Sequence, residues 1–279
     1  MPSGAPAAPP AGSVSRPVRA AWGAQPAILG RRAAALCLVE LQKMAHDRTE
    51  IYTRAIQPLL WLVIFGETFS RIHAIPTGGK PYLDYLAPGI LAQSALFIAI
   101  FYGIQIIWER DAGVLAKLMV TPTPRPALIL GKSFAAGVRA LAQVVVVLVA
   151  SAILGVSLTA NPLRIAAAAL IVVLGAGFFS TLSMTIAGLA LSRDRLMGIG
   201  QAITMPLFFA SNALYPVKVM PGWVQAVSKV NPLSYQVDAL RGLLVGTPAH
   251  VGEDFGVVVL ALAVGVAAAS ALLGRLARG

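Results

Sequence analysis

Polar residues in this chain gather into a few short segments, and the stretches between them are nearly unbroken apolar sequence. Residues 86–107, 140–160, 165–192, 196–217 and 255–274 carry no formally charged side chain. Each matches or exceeds the roughly 20 residues with which an α-helix crosses the hydrocarbon core of a bilayer. A sixth segment, AIQPLLWLVIFG at 55–66, is a short apolar core between Arg54 and Glu67. By length it is interfacial or re-entrant; it becomes a span over 51–71 if Arg54 and Arg71 snorkel to the two interfaces and Glu67 faces protein or water. With that segment counted, spans are expected at about 51–71, 86–107, 132–156, 165–191, 196–217 and 255–274. The fold class is an all-α membrane protein.

The polar segments carry their own patterns. Over 27–50, Ala34, Cys37, Leu38, Leu41, Met44 and Ala45 share one helical face while Arg32, Glu40, Lys43, His46 and Asp47 take the other. This predicts an amphipathic helix in the membrane interface, or one packed on a partner. After the second span come Glu109, Arg110 and Asp111, then apolar Val114, Leu115, Leu118 and Met119, then the breaker Thr121-Pro122-Thr123-Pro124. A short amphipathic helix before a rigid turn suits docking into a groove of another protein, and equally an ordinary connection. The fifth span contains Pro206 with Gln201, Thr204, Ser211 and Asn212 beside Met205, Phe208 and Phe209. Such groups serve helix–helix hydrogen bonding or a path for amphipathic cargo, and the residues alone do not choose. Residues 215–246 are too long and apolar for a plain loop. Trp223, Val224, Val227 and Val230 form a stripe, Asn231-Pro232 breaks it, and Asp238 and Arg241 are spaced for an i, i+3 ion pair. Two short helices in or dipping into the outer membrane face are expected, with Tyr215, Trp223 and Tyr235 at headgroup level.

Composition agrees: 57% of residues are hydrophobic, 12% are charged and mean hydropathy is +0.78, far from a soluble domain. The net charge of +11 reads as topology. With the N-terminus and C-terminus in the cytoplasm and six spans, Arg71, Lys80, Arg164, Lys218, Lys229 and Arg241 lie outside and the other 16 of 22 basic residues inside, as the positive-inside rule requires. No aromatic-interleaved basic patch accompanies the charge, so nucleic acid is not an expected partner. Residues 1–26, rich in Pro, Ala and Gly without an apolar core, read as a disordered cytoplasmic tail, and 276–279 as a second cytoplasmic tail. The single cysteine, Cys37, forms no internal disulfide, and no metal site is expected. Gly131-Lys132-Ser133 has the ending of a phosphate-binding loop, but the position that needs the loop's first glycine is Pro126, which has no amide hydrogen to give. Lys132 therefore reads as an interface anchor, free to pair with Glu109 or Asp111.

Two stretches, ERDAGVLAKLMVTPTPRPALILGK after the second span and NALYPVKVMPGWVQAVSKVNPLSYQVDALRGLL before the last, resemble the signature regions of ABC-2 type transporter permeases. The resemblance covers roughly 30–275 and is closest to the drug-resistance branch with daunorubicin-type efflux permeases, the nodulation-factor exporters being relatives. It implies a six-helix transmembrane domain over 51–275 with an N-terminal interfacial helix over 27–50, a cytoplasmic coupling helix at about 110–120 and external re-entrant helices at 215–241. ATPase coupling would fall to Glu109, Arg110, Gly113, Leu115, Lys117, Leu118, Thr121 and Pro122. The external re-entrant segment would use Tyr215, Pro216, Pro221, Trp223, Asn231, Pro232, Asp238 and Arg241. A translocation path between two permeases would be lined by Phe97, Phe101, Met205, Phe208 and Asn212. The implied partners are a separate ATP-binding cassette ATPase subunit, a second permease (the same chain or a close relative) and membrane lipids. ATP and Mg would sit on the ATPase, with no cofactor on this chain and no catalytic residues in it.

Expected function is thus the permease subunit of an exporter of drug-like or lipid-like amphiphiles, in a bacterial inner membrane. Two other classes fit less well. A membrane enzyme would need clustered catalytic groups, and His46, His73 and His250 are scattered. An ion-coupled secondary transporter would want ionisable residues at mid-membrane, for which Glu67 is the candidate.

Overall fold

The computed structural model describes residues 34, 38, 42, 48–72, 77, 79–120, 124–190 and 192–276. Most of the interfacial helix expected over 27–50, both tails, and Thr121 and Pro122 lie outside them. The described residues form helices α1 (Arg48–Ile72), α2 (Tyr82–Asp111), α3 (Val114–Val120), α4 (Arg125–Ile153), α5 (Pro162–Ala190) and α6 (Arg193–Phe209). A 3-10 turn at Val217–Val219 leads to α7 (Gly222–Val230), α8 (Pro232–Leu244) and α9 (Val251–Leu276). There is no strand among them.

Helix α5 is apolar around its whole circumference, the pattern of a membrane span, and leaves Leu170 and Leu189 exposed on the side away from its neighbours. It is the hub, in contact with α2, α4, α6, α8 and α9. Small residues let the neighbours come close, as at membrane helix interfaces generally. Ser183 fits over Gly103 and donates its hydroxyl to the Ile100 carbonyl at 2.8 Å, which joins α5 to α2. Gly175 faces the Gln236 side chain of α8, and Gly188 faces Leu272 of α9.

Helices α2, α4, α5 and α9 are long and apolar enough to cross a membrane. Helix α1 runs alongside α2 and α4. Its aromatic ladder, Trp61 on Phe65 at 4.6 Å and Phe65 on Phe69 at 5.8 Å, continues into Tyr82 of α2 at 5.5 Å. Glu67 is exposed, five residues from the end of α1, and pairs with Arg71 at 3.5 Å.

The fifth apolar segment differs from expectation. Instead of one helix over 196–217, α6 stops at Phe209 after 17 residues, about 25 Å by helical rise and short of a hydrocarbon core. The last bond of the ladder runs from the Ala210 amide to the Pro206 carbonyl at 2.8 Å, and the Ser211 hydroxyl caps the Phe208 carbonyl at 2.6 Å. Residues 210–216 turn back through the protein against α2 and α8.

Gly89 of α2 lies directly against this turn, where a Cβ would overlap the Ala213 carbonyl. Gly89→Leu should destabilise the protein by about 3 kcal/mol, from overpacking against backbone that cannot swing aside. Gly198→Ala, whose Cβ would meet open space, should be neutral or slightly stabilising. Thermal unfolding of both variants in one mild detergent reads the contrast, and equal melting temperatures would refute it.

Candidate functional site

Three places collect the residues that sequence reasoning singled out. The first is the end of the bundle where α2 hands over to α3. Helix α2 ends at Asp111; the Ala112 amide still bonds to the Trp108 carbonyl and the Gly113 amide to Arg110. Gly113 then takes φ +70°, a left-handed conformation that disfavours other residues, and α3 starts in a new direction. Leu115 is fully buried in the core, whereas Val114, Ala116 and Lys117 are exposed beside exposed Trp108. Leu115 thus anchors α3, and its neighbours form the outward face. Lys132 from α4 binds Glu109 at 2.6 Å with both side chains largely buried, and Arg110 holds Asp111 at 2.9 Å. Gly131-Lys132-Ser133 lies inside α4 with the Ser133 hydroxyl on the Ile129 carbonyl, not in a loop that opens a helix.

The second is the break after α6. Three carbonyls there lack helical donors, and α2 and α8 supply replacements. Tyr82 donates to Leu214 at 3.1 Å, and Tyr85 to Asn212 at 3.0 Å. Arg241 donates to the Asn212 carbonyl and, at 3.4 Å, to Ala213. Its guanidinium lies 3.6 Å from the Tyr85 ring centre and also reaches Asp238 at 3.4 Å and the Tyr85 carbonyl at 3.2 Å. Asn212 completes the circuit by donating to Asp238 at 2.6 Å. Burial pushes the Asp238 carboxyl above its ordinary pKa, against the pull of Arg241 and Asn212. The Asp238–Arg241 pair read from spacing is present, but as part of this larger network. Asn231 caps α8 by accepting from the Leu233 amide at 3.0 Å, with Pro232 in the first turn, and donates to the Leu207 carbonyl of α6 at 2.7 Å. Tyr215 donates to the Phe209 carbonyl at 2.7 Å. Pro216 and Pro221 start the 3-10 turn and α7, whose Trp223, Val227 and Val230 are exposed.

The third is a groove between α1, α2 and α4, formed by two adjoining cavities of about 210 and 390 Å³ that share Arg54, Ile98, Phe101 and Gln143. Phe97 and Phe101, taken from sequence as path residues, both line it. The other three do not meet them there. Phe208 is fully buried and edge-on to Trp61 at 5.6 Å, Asn212 belongs to the break, and Met205 is exposed on α6. Sequence reasoning missed Arg54, Arg139, Gln93 and Gln143 as groove residues. Read one at a time, an arginine near a helix end is a snorkelling charge and a lone glutamine a packing group; the signal was their sharing one side of three different helices.

The family model of the ABC-2 type transporter matches residues 32–245, which takes in the α2–α3 hinge, the break and the groove. This chain belongs to the ABC-2 type transporter family. Curated relatives of this ABC-2 protein include one from Cyanophora paradoxa named as a transport permease, ycf38, 30% identical over 190 residues that cover 67% of this chain and 65% of that one. This chain therefore spans just under two thirds of that relative's length. The daunorubicin resistance ABC transporter permease protein DrrB1 of Streptomyces coeruleorubidus is 25% identical over 233 residues, 84% of this chain and 81% of that one. Nodulation protein J of Rhizobium meliloti is 26% identical over 221 residues, 78% and 83% of the two chains. The resemblance read from the two signature stretches, including its drug-resistance branch, is borne out. This ABC-2 protein is a multi-pass membrane protein.

Replacing Arg241 tests the break directly. Arg241→Leu would strip donors from the buried Asn212 and Ala213 carbonyls, a loss of about 1–3 kcal/mol for each acceptor left unsatisfied, while half-exposed Asp238 loses a cation that water can replace. Amide hydrogen exchange over 210–216 should rise strongly, while exchange in α9 changes little. Unchanged exchange at 210–216 would show that the arginine does not hold the turn.

Proposed function

We propose that the chain is the permease subunit of an exporter that moves drug-like or lipid-like amphiphiles out of the cytoplasm or the inner leaflet, driven by ATP hydrolysed on a separate subunit. The observation that carries this reading is α3: a seven-residue helix set off by a glycine hinge, with Leu115 buried and Val114 and Lys117 facing out. Such an element is held firmly by its own bundle and still presents a face to a partner. In this reading α3 is the coupling helix, the α3 end lies in the cytoplasm, and ATP and Mg belong to the partner. ATP binding would draw two ATPase subunits together, move two α3 helices with them, and favour an outward-facing pair of permeases, because the closed ATPase binds that state better. Helices α1 and α6 complete six passes, α6 with the turn that follows it, and α7 and α8 form the external re-entrant segment. The membrane is that of a bacterial cell, with both chain termini in the cytoplasm.

Ion coupling is less well supported. In the membrane-crossing helices the described carboxylates Asp84, Glu109, Asp111, Glu253 and Asp254 stand within a turn of a helix end, and Glu67 is spent on exposed Arg71.

The tagged protein, purified in mild detergent from its own host, should bring down a stoichiometric ATPase subunit with vanadate-sensitive turnover. Val114→Asp with Lys117→Glu should reduce export and co-purification by about 30-fold, as expected for a contact worth about 2 kcal/mol at an interface centre. The bundle should keep its melting temperature, since both side chains are exposed. A chain purified alone, whose transport persists without ATP and collapses with the proton gradient, would overturn the exporter reading.

A further inference from the structure

In the groove between α1, α2 and α4 a polar group stands without a partner in the protein. Gln93 lines the larger cavity while only 3% exposed, and its amide nitrogen has no hydrogen-bond partner. Its polar neighbours in the lining are committed. Ser94 donates to the Ile90 carbonyl at 2.7 Å, Gln143 donates from α4 to the Arg54 carbonyl at 3.4 Å, and Arg54 and Arg139 hold partners inside the protein. Gln93 is the twelfth of the 30 residues of α2, about 17 Å from its start by helical rise. Lipid tails offer no acceptor at that depth, so the amide is satisfied only by what enters the groove. Gln93, Phe97 and Phe101 follow at i, i+4 and i+8 on one face of α2, and the two rings line the same cavity of about 390 Å³. A water molecule meets the donor and gains nothing from the rings. An elongated molecule with an acceptor at one end meets both.

We propose that this groove binds an uncharged amphiphile drawn from the bilayer, with a carbonyl oxygen accepting from the Gln93 amide and the apolar body lying along Phe97 and Phe101. A carbonyl matches the site because it accepts without bringing a donor that itself needs a partner. A formal charge at that depth would lose its hydration, with no uncommitted counter-charge among the described residues that line the groove. The cargo role rests on the exporter reading, and the binding does not, since it needs only this chain.

The test uses the full chain in detergent with fluorescent dioleoylglycerol as probe. Competitors are unlabelled dioleoylglycerol, the diether with the same chains, which lacks both carbonyls, and phosphatidylglycerol with the same acyl groups. The diester should compete about fivefold better than the diether, as expected for one neutral hydrogen bond to a buried donor, and phosphatidylglycerol no better than the diester. Gln93→Leu should bring diester and diether to parity. It should also leave the unliganded chain at least as stable as before, because a buried group without a partner is removed. Phe101→Ala should weaken both competitors several-fold and leave their ratio alone. Equal competition by diester and diether in the unaltered chain overturns the proposal and leaves water as the partner of Gln93. An ester preference that survives in folded Gln93→Leu overturns it too, as does phosphatidylglycerol competing better than the diester, which would mark a charged ligand. Failure here beside a co-purifying ATPase leaves the exporter reading with another cargo. The ester preference without any ATPase upholds the groove assignment and sinks only the exporter reading.

Discussion

A single guanidinium closes the gap that α6 leaves in the bundle. Backbone that departs from a helix at membrane depth is tolerated only where protein groups satisfy it, because lipid offers no hydrogen bonds. Residues 210–216 depart from the helix after Pro206, and Arg241 with Tyr82 and Tyr85 accepts the consequence by donating to the carbonyls of Asn212, Ala213 and Leu214. The donors come from α2 and α8, so the turn in this form depends on both helices. This makes the break a point of assembly: α6 is short because α8 exists to complete it.

The rest of the architecture connects to that point. Small residues bring α5 close to α2 and α8, and the aromatic ladder of α1 runs from Trp61 to Tyr82 and on to Tyr85, at 6.4 Å, under the Arg241 guanidinium. Displacement of α1 or α2 at this end therefore changes the environment of the groups that hold the break. At the other end of α2, Leu115 and the Glu109–Lys132 pair tie α3 to α2 and α4. One helix, α2, joins the outward-facing α3, the groove and the break.

The helices and the turns between them were largely legible in the sequence, because they depend on local chemistry. Length without charge marks a membrane helix whatever its neighbours are, Asn231-Pro232 marks a helix start, and i, i+3 spacing brings Asp238 to Arg241. The two signature stretches carried the family for the same reason. Less legible was what a side chain does once packed. Leu115 and Val114 are neighbours of equal hydrophobicity, yet one is fully buried and the other exposed. Phe208 and Phe101 looked alike as path residues, and one stacks into the core while the other lines the groove.

What the sequence determined by itself is an all-helical membrane protein of the ABC-2 type, with the breaks at Thr121-Pro122 and Asn231-Pro232 foreseen, since hydropathy and proline act over a few residues. Only the tertiary structure decided that α6 ends at Phe209, that Arg241 serves backbone carbonyls as well as Asp238, and that Arg54, Arg139 and Gln93 face one cavity. Those outcomes depend on groups 26 to 156 residues apart in the chain, as from Asn212 to Asp238 and from Tyr85 to Arg241. No local pattern records which of the many donors and acceptors in an apolar bundle will be brought within 3 Å of each other by packing.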